Sequence, residues 1–507
     1  MPTPSRRAQL IALATAALVI AATAIAGVAL NRAGVPLHAD AAPLFGFLNP
    51  HLGPGTPLAI ALAIAVVAWG PPLAARLPWR GLLAAGYAAA LTWTASLALV
   101  DGWHAGFTER LTDWTEYLHD VPRVHDIPAM IGEFTQHVLA GQPHSWTVHV
   151  SGHPPGALLV YTWLDRLGLG GGTWASVVTV LVGALAAVAV PVTVRALHDE
   201  RAARAVVPFV VLFPGAVWMG VSADGLFTGV TTTGIALLAL RRALPALLGG
   251  VLLGFTLFLS YGLTLVAVIA LAVVLVNRSW RSLLIAAFGA SIVVAAFAAA
   301  GFWWLDGYHL VVQRYHQGDF AQRPYAYWVF GNLGALLLSA GPFTAAALAL
   351  ATSSPATTAT TPRTPVIRNP KTAAIRIRGA GAFRTTRKTA VIGSRKTAVI
   401  GSASAVGAGA SRTGGRRSPG IRNVVSRSVA AVPRVDAVRG LVLAAGLAVL
   451  AADLSGLSKA EVERIWLPFG VWFAVGAALL PAGSRRWWLG AQAVTALAVN
   501  HVIATSW

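Results

Sequence analysis

Apolar residues in this chain come in blocks of roughly 15–24, most of them long enough to cross the hydrocarbon of a bilayer. Such blocks cannot be packed into a water-soluble globule of this size. Of the 507 residues, 56% are hydrophobic and only 11% are charged, against about 25% charged in an ordinary soluble domain. Mean hydropathy is +0.67. These values exclude a water-soluble enzyme and predict an all-α polytopic membrane protein. Cysteine is absent, which excludes disulfides, thiolate metal sites and a cysteine nucleophile.

The runs predict about 13 transmembrane helices, over 8–30, 57–75, 81–100, 173–196, 203–219, 224–241, 244–259, 262–276, 282–301, 329–350, 438–453, 464–482 and 487–504. The first run has a basic start and small residues, as a signal peptide would. It exceeds the usual 7–15 apolar residues of one and reads as an anchor. Arg6 and Arg7 then place the N-terminus in the cytoplasm by the positive-inside rule. Every second loop should be basic. Arg76 and Arg80, Arg195, Arg201 and Arg204, Arg241 and Arg242, Arg278 and Arg281, and Arg485 and Arg486 all fit, with Arg32 as a mild exception. By this count 30 of the 38 Lys and Arg lie inside and 15 of the 18 acids outside. The net charge of +20 therefore reflects membrane sidedness rather than a nucleic-acid partner.

The runs divide the chain into a transmembrane core over 1–350, an insert over 351–437 and C-terminal helices over 438–507. Outer loops are expected at 101–156 and 302–328. The insert is rich in Thr, Ala, Gly, Ser and Arg, holds one acid (Asp436), and repeats RKTAVIGS in tandem at 387–394 and 395–402. With few large apolar residues it reads as a disordered, basic, cytoplasmic segment. Contact with anionic inner-leaflet lipid would suit its charge. A recently expanded insertion with no role is the simpler reading.

The first outer loop concentrates chemistry. Seven acids lie between Asp101 and Glu133, and seven of the 13 histidines between His104 and His153. Phe107, Leu111, Trp114 and Leu118 have the spacing of one helical stripe. This predicts a short amphipathic helix on the membrane surface, with Glu109, Asp113 and Glu116 on its wet face, where solvation alone would account for them. Asp101 ends an apolar run at the outer interface, where partial desolvation would favour proton acceptance; it could also simply terminate the span. His149 and His153 have H-x-x-x-H spacing, but Gly152 and Pro154 argue against the helix a metal pair would need. The apolar stretch 154–167 is too short to span and reads as an interfacial or re-entrant helix.

An Asp at the outer end of a span, an acidic juxtamembrane segment, and then His153-Pro154-Pro155-Gly156 opening a short apolar helix resemble the GT-C membrane glycosyltransferases. SADGLFTGVTTTGIALLAL (222–240) is similar to the span of that family that begins with an Asp near the outer surface. The resemblance covers about 81–350 and, weakly, the last three runs. Two runs precede the acid-bearing loop's own span, where the family usually has one in all. The Arg, Ala and Gly content looks actinobacterial. GLGGG at 168–172 is neither a P-loop nor a dinucleotide motif.

The resemblance implies a GT-C-like bundle whose outer loop carries juxtamembrane helices. It implies a hexosyl- or pentosyltransferase moving a sugar from a polyprenyl-phosphate donor to a glycan, lipid or protein acceptor at the outer face of the cell membrane. That chemistry needs a carboxylate to take the acceptor proton and a cation for the departing phosphate. Asp101 is the first candidate base. Glu116 or Asp120 would orient the acceptor or bind a divalent cation such as Mg2+ or Mn2+; no metal ligand set is assigned. Arg314, Tyr315 and Arg323 in the second outer loop are candidates for the donor, beside aromatics that an interfacial belt would also explain. Asp224, His153 and Tyr261 are candidate cavity residues. Glu463 and Arg464 enter the apolar zone together and should interact with each other or with the cavity.

Other readings compete. A transporter or flippase of a lipid-linked sugar or other anionic envelope precursor would place ionisable groups at mid-membrane and often shows a repeated half; neither is seen. A non-catalytic scaffold for envelope enzymes makes no demand on these residues.

Overall fold

The computed structural model describes residues 6–353 and 436–505, all within one compact unit. The insert read over 351–437 lies, apart from its first and last residues, outside the described residues. The protein is all-α save for a three-residue antiparallel ladder, Gly46–Leu48 against Ile503–Thr505, with Gly46 opposite Thr505. It is a multi-pass membrane protein by its candidate spans. Six helices are long and apolar enough to cross a membrane: Arg6–Arg32, Thr56–Arg76, Trp79–Asp101, Gly172–Leu197, Trp280–Ala299 and Ala437–Leu454. Leucine and isoleucine on their outer faces, such as Leu18, Ile25, Ile64 and Leu284, are exposed, as a hydrocarbon solvent allows.

Of the 13 expected spans, these six meet the length and apolarity of a span among the described residues, or seven if Tyr325–Ser339 and Phe343–Thr352 count as one. That pair bends by 103° at a break holding Gly341 at φ +88 and Pro342. Four other runs form shorter apolar helices, Ala223–Ala239, Ala243–Leu259, Tyr261–Asn277 and Leu467–Leu479. The run at 203–219 splits into Glu200–Val211 and Ala216–Met219 around Pro214 and Gly215. The last run lies in Ala482–Val502, whose Arg485, Arg486, Gln492 and Asn500 keep its hydropathy low. Composition reports apolarity; it does not report where proline and glycine interrupt the helical ladder.

Small residues set the close helix packing, as they do where lipid supplies no hydrophobic drive between helices. A β-carbon on Gly250 would stand 2.0 Å from the Ala286 carbonyl oxygen, and one on Gly229 would stand 1.8 Å from that of Val182. The first helix is a packed part of the bundle: Thr23 O accepts from Tyr327 Oη at 3.1 Å, and Gln9 Oε1 from Trp488 Nε1 at 3.2 Å.

Several basic loops meet at one end. Arg204 donates to the carbonyls of Ala74 and Leu77 at 2.7 and 2.8 Å, satisfying the C-terminus of Thr56–Arg76. Arg195 lies 4.6 Å over the Trp79 ring.

The outer loop departs from the single amphipathic helix expected over 107–118. The chain makes a π turn at His104–Thr108 and a 3-10 turn at Arg110–Thr112, then an α turn at Tyr117–Asp120. Asp113 is extended at φ −53, ψ 151, and Trp114 points outward while Leu111 is buried. Glu116 is consequently buried, not on a wet face. The expected short helix after the Pro-Pro pair forms as Gly156–Arg166. The stretch 302–328, expected as a second outer loop, contains a 14-residue amphipathic helix, Trp304–Gln317.

Candidate buried ion-pair site

The densest assembly of polar groups centres on Arg464. It sits on a single helical turn, Val462–Ile465, entered through Ala460 and Glu461, both left-handed at φ +68 and +61. Non-glycine residues there are strained by about 1–3 kcal/mol each and persist only when neighbours over-determine them. The neighbours are specific. Asn332 donates to Asp453 Oδ1 at 2.8 Å and to the Ser458 carbonyl at 2.6 Å, and its own oxygen accepts from Ala460 N. Arg323 donates to Lys459 O at 2.8 Å and to Glu461 Oε1 at 3.2 Å, while Lys459 Nζ donates back to the Ala321 and Arg323 carbonyls.

From this clamp Arg464 reaches three elements. Nη1 donates to Asp224 Oδ2 at 2.7 Å, and Nη2 donates to Glu461 Oε2 at 2.8 Å and lies 3.3 Å from His149 Nε2. Asp224 stands in the first turn of Ala223–Ala239, where the helix dipole favours an acid. His149 belongs to the turn Val148–Ser151, and its Nδ1 is 2.8 Å from Glu116 Oε1. A guanidinium can only donate, so His149 Nε2 accepts and the ring proton lies on Nδ1, towards Glu116. Glu116, His149, Asp224, Glu461 and Arg464 thus form one continuous charged chain, all of it nearly shielded from solvent.

The charges hold one another ionised. Burial alone would raise Glu116, but the His149 ring and the Arg464 guanidinium outweigh it and keep the carboxyl below its usual range. For Glu461 burial is again overcome, by Arg464 and then Arg323. Burial would lower Arg464, yet Asp224, Glu461 and Glu116 raise it above the ordinary guanidinium value. Tyr117, beside Glu116, is raised well above 10 by burial and by Glu116 and Asp224. Its ring packs on His149, His153 and Tyr161 at 6.2, 5.8 and 5.5 Å. His153 bonds through Nδ1 to the His149 carbonyl at 2.8 Å, and burial lowers it to about 4, so it is neutral near pH 7.

The other residues singled out in the sequence fall elsewhere. Asp101 lies outside this chain: its two oxygens meet His51 Nε2 at 2.8 Å and Arg110 Nη2 at 2.5 Å, and Arg110 also donates to the Thr505 carbonyl at 2.6 Å. Asp101 therefore ties the outer loop to the C-terminal strand. Asp120 pairs with Arg123 and accepts from Thr147 N at 2.8 Å, bracing the loop from within. Tyr261 packs on Trp304 and Tyr308 at 5.2 and 5.9 Å. Tyr315 lies under Lys459 Nζ at 5.6 Å. Arg323 is committed to the clamp. Arg314 differs: its Nε donates to Ser151 Oγ at 3.3 Å, and no acid pairs with it among the described residues.

Glu463 does not face Arg464, because adjacent helical residues diverge around the axis whereas residues three apart share a face. Glu461 is the partner instead. Glu463 is fully buried; Oε1 accepts from Phe45 N at 2.7 Å, and Oε2 has no hydrogen-bond partner among the described residues. Burial raises it to about 7. Between its unfolded value near 4.5 and about 7, the folded carboxyl keeps a proton that the unfolded chain has released. Its contribution to stability therefore falls as pH rises through that window and levels off above it. Glu463→Gln removes this dependence. The stability of the variant minus that of the wild type should grow by about 3 kcal/mol from pH 4.5 to 7 in detergent unfolding experiments. The opposite contribution of His153, lost as pH falls from 6.5 towards 4, is common to both proteins and cancels. A flat difference would show that the folded carboxyl titrates as the unfolded one does.

Sequence reasoning missed His149 and Glu461 as members of the site. The H-x-x-x-H spacing and the i, i+3 spacing of Glu461 and Arg464 were the available signals. Among the described residues no three His, Asp or Glu side chains converge as a metal site would, and the clustered acids already face guanidinium or imidazole. Compared with known proteins, the chain matches no family model, no curated protein and no solved structure; what its own residues show is a helical protein with several candidate membrane spans and a buried charged chain.

Proposed function

We propose that the protein is a membrane glycosyltransferase, moving a sugar from a polyprenyl-phosphate donor to an acceptor at the outer membrane face. One observation carries this reading. Acids and a histidine from the outer loop, Glu116 and His149, meet Asp224 and Arg464 from distant parts of the chain in a single shielded cluster. Low local dielectric makes such groups effective on a developing charge.

Glu116 replaces Asp101 as the base because it belongs to this shielded cluster, whereas Asp101 lies outside it. The acceptor hydroxyl loses its proton to the Glu116 carboxylate as its oxygen bonds the anomeric carbon. The bond from that carbon to the phosphate oxygen breaks, and the phosphate leaves with the electron pair. His149 fixes Glu116 from the far side, and Arg464 with Asp224 fixes His149. Arg314 receives the leaving phosphate: it pairs with no carboxylate among the described residues and sits beside Ser151, two residues from His149. A cavity of about 460 Å3, lined in part by Leu118, His119, Tyr161 and Asp165, reaches the ring that packs on Tyr117 and is the approach for acceptor. The same reading places the basic loops in the cytoplasm and this site outside.

Arg314→Gln tests the phosphate assignment. It should raise the KM for the polyprenyl-phosphate sugar by about tenfold or more, the worth of one charge-assisted hydrogen bond, with folded yield unchanged. An unchanged KM would remove Arg314 from the donor site.

A further inference from the structure

At the end of the bundle where the basic loops meet, a cavity of about 480 Å3 opens between Thr56–Arg76, Glu200–Val211 and Ala482–Val502. Its wall is apolar, formed by Pro71, Ala74, Ala205, Pro208, Phe209 and Leu489, and its polar edge carries Arg201, Arg204, Arg485 and Glu200. The charges are not balanced. Glu200 is spent on Arg204 at 2.7 Å and on Arg195 at 2.8 Å. Arg204 is further committed to the Ala74 and Leu77 carbonyls. Arg201 and Arg485 have no acidic partner among the described residues. Arg485 reaches only the Leu480 carbonyl at 3.3 Å, and its Nε is buried without a hydrogen-bond partner. Burial, and then the nearby Arg201, lower its guanidinium: two like charges are held together over one hollow.

We propose that this cavity binds an anionic phospholipid, with the headgroup phosphate on Arg201 and Arg485 and an acyl chain along the apolar wall. Two guanidinium groups without an acid beside one hollow, one of them with a buried and unpartnered Nε, favour an anion there, and a phosphate accepts their donor forks. A free phosphate would satisfy the arginines but leave the wall of Pro71, Pro208, Phe209 and Leu489 facing water. A lipid satisfies both. Basic pockets between membrane helices bind anionic headgroups in this way. The cavity is separate from the Arg464 cluster, so the proposal stands whatever the transfer chemistry.

The test uses the full chain purified in detergent, mixed with phosphatidylglycerol or with phosphatidylcholine, and read for retained lipid by native mass spectrometry. Phosphatidylglycerol should be retained at least tenfold more strongly than the zwitterionic lipid. Arg201→Gln with Arg485→Gln should weaken it by about a hundredfold, roughly tenfold for each charged contact. Ala75→Trp keeps every charge and fills the mouth of the cavity from an exposed position. It should also lower retention at least tenfold, and it carries the test if the double variant fails to fold. Equal retention of both lipids would overturn the proposal, as would retention unaffected by Ala75→Trp. Displacement of the lipid by millimolar inorganic phosphate would overturn it too, since the occupant would then be a free anion.

Discussion

Arg464→Met should destabilise the protein by about 3–5 kcal/mol, the cost of leaving a buried charge without its partner. The reason is geometric. Arg464 bonds Asp224 at 2.7 Å and Glu461 at 2.8 Å in a region shielded from water, and no other guanidinium reaches Asp224 among the described residues. Methionine fills the space but leaves Asp224 to protonate or to remain as an uncompensated charge. It also releases the strained turn at Ala460 and Glu461, which the network over-determines. Arg464→Lys should recover part of the loss, because an ammonium supplies charge but not a planar fork for two carboxylates. Denaturing-detergent titration of the three proteins checks this. A loss below about 1 kcal/mol for Arg464→Met, typical of an exposed pair, would mean that water reaches the cluster and that the charged chain is not an interior structure.

Glu116→Gln should lower sugar transfer by about 10^2 to 10^4, the usual worth of a positioned general base. Glutamine keeps the shape and still offers an oxygen to the His149 ring but cannot take the acceptor proton. Folded yield should hold, since His149 keeps its contact with Arg464 and Asp224 keeps its counterion. The variant therefore separates chemistry from architecture, which Arg464→Met does not. Asp101→Asn is the matching control. Its carboxylate ties His51 and Arg110 to the outer loop, so it should lower stability modestly and leave transfer within a few-fold of wild type.

What could be read from the sequence was what is local in it. Charge in loops is such a property, and Arg195, Arg204 and the chain end at Ala74 and Leu77 lie together. The short helix after Pro154-Pro155 was legible because proline marks helix starts. Where the runs break was not. Runs such as 329–350 and 203–219 have the apolarity of a span, yet Gly341-Pro342 and Pro214-Gly215 break them. The site was legible in part. Asp224 and Arg464 were singled out for acids and arginines that apolar surroundings make costly, and they pair with each other. Glu116 was among the acids considered, but a periodic stripe put it in water; extended backbone at Asp113 breaks that period and turns it inward. Asp101 was the first candidate base, for its place at the end of a span. Only tertiary contacts show that its partners are Arg110 and His51, and that Glu461 rather than Glu463 faces Arg464.

The central claim is that the shielded Glu116–His149–Arg464–Asp224 chain transfers sugar. The direct measurement incubates purified wild type, Glu116→Gln and Asp101→Asn with labelled polyprenyl-phosphate sugar and membrane-derived acceptor, and follows label released from the lipid. Label should leave the donor with wild type and with Asp101→Asn, and fall at least about a hundredfold with folded Glu116→Gln. Full activity in Glu116→Gln, or movement of intact donor across proteoliposomes with no label transferred by wild type, would contradict it.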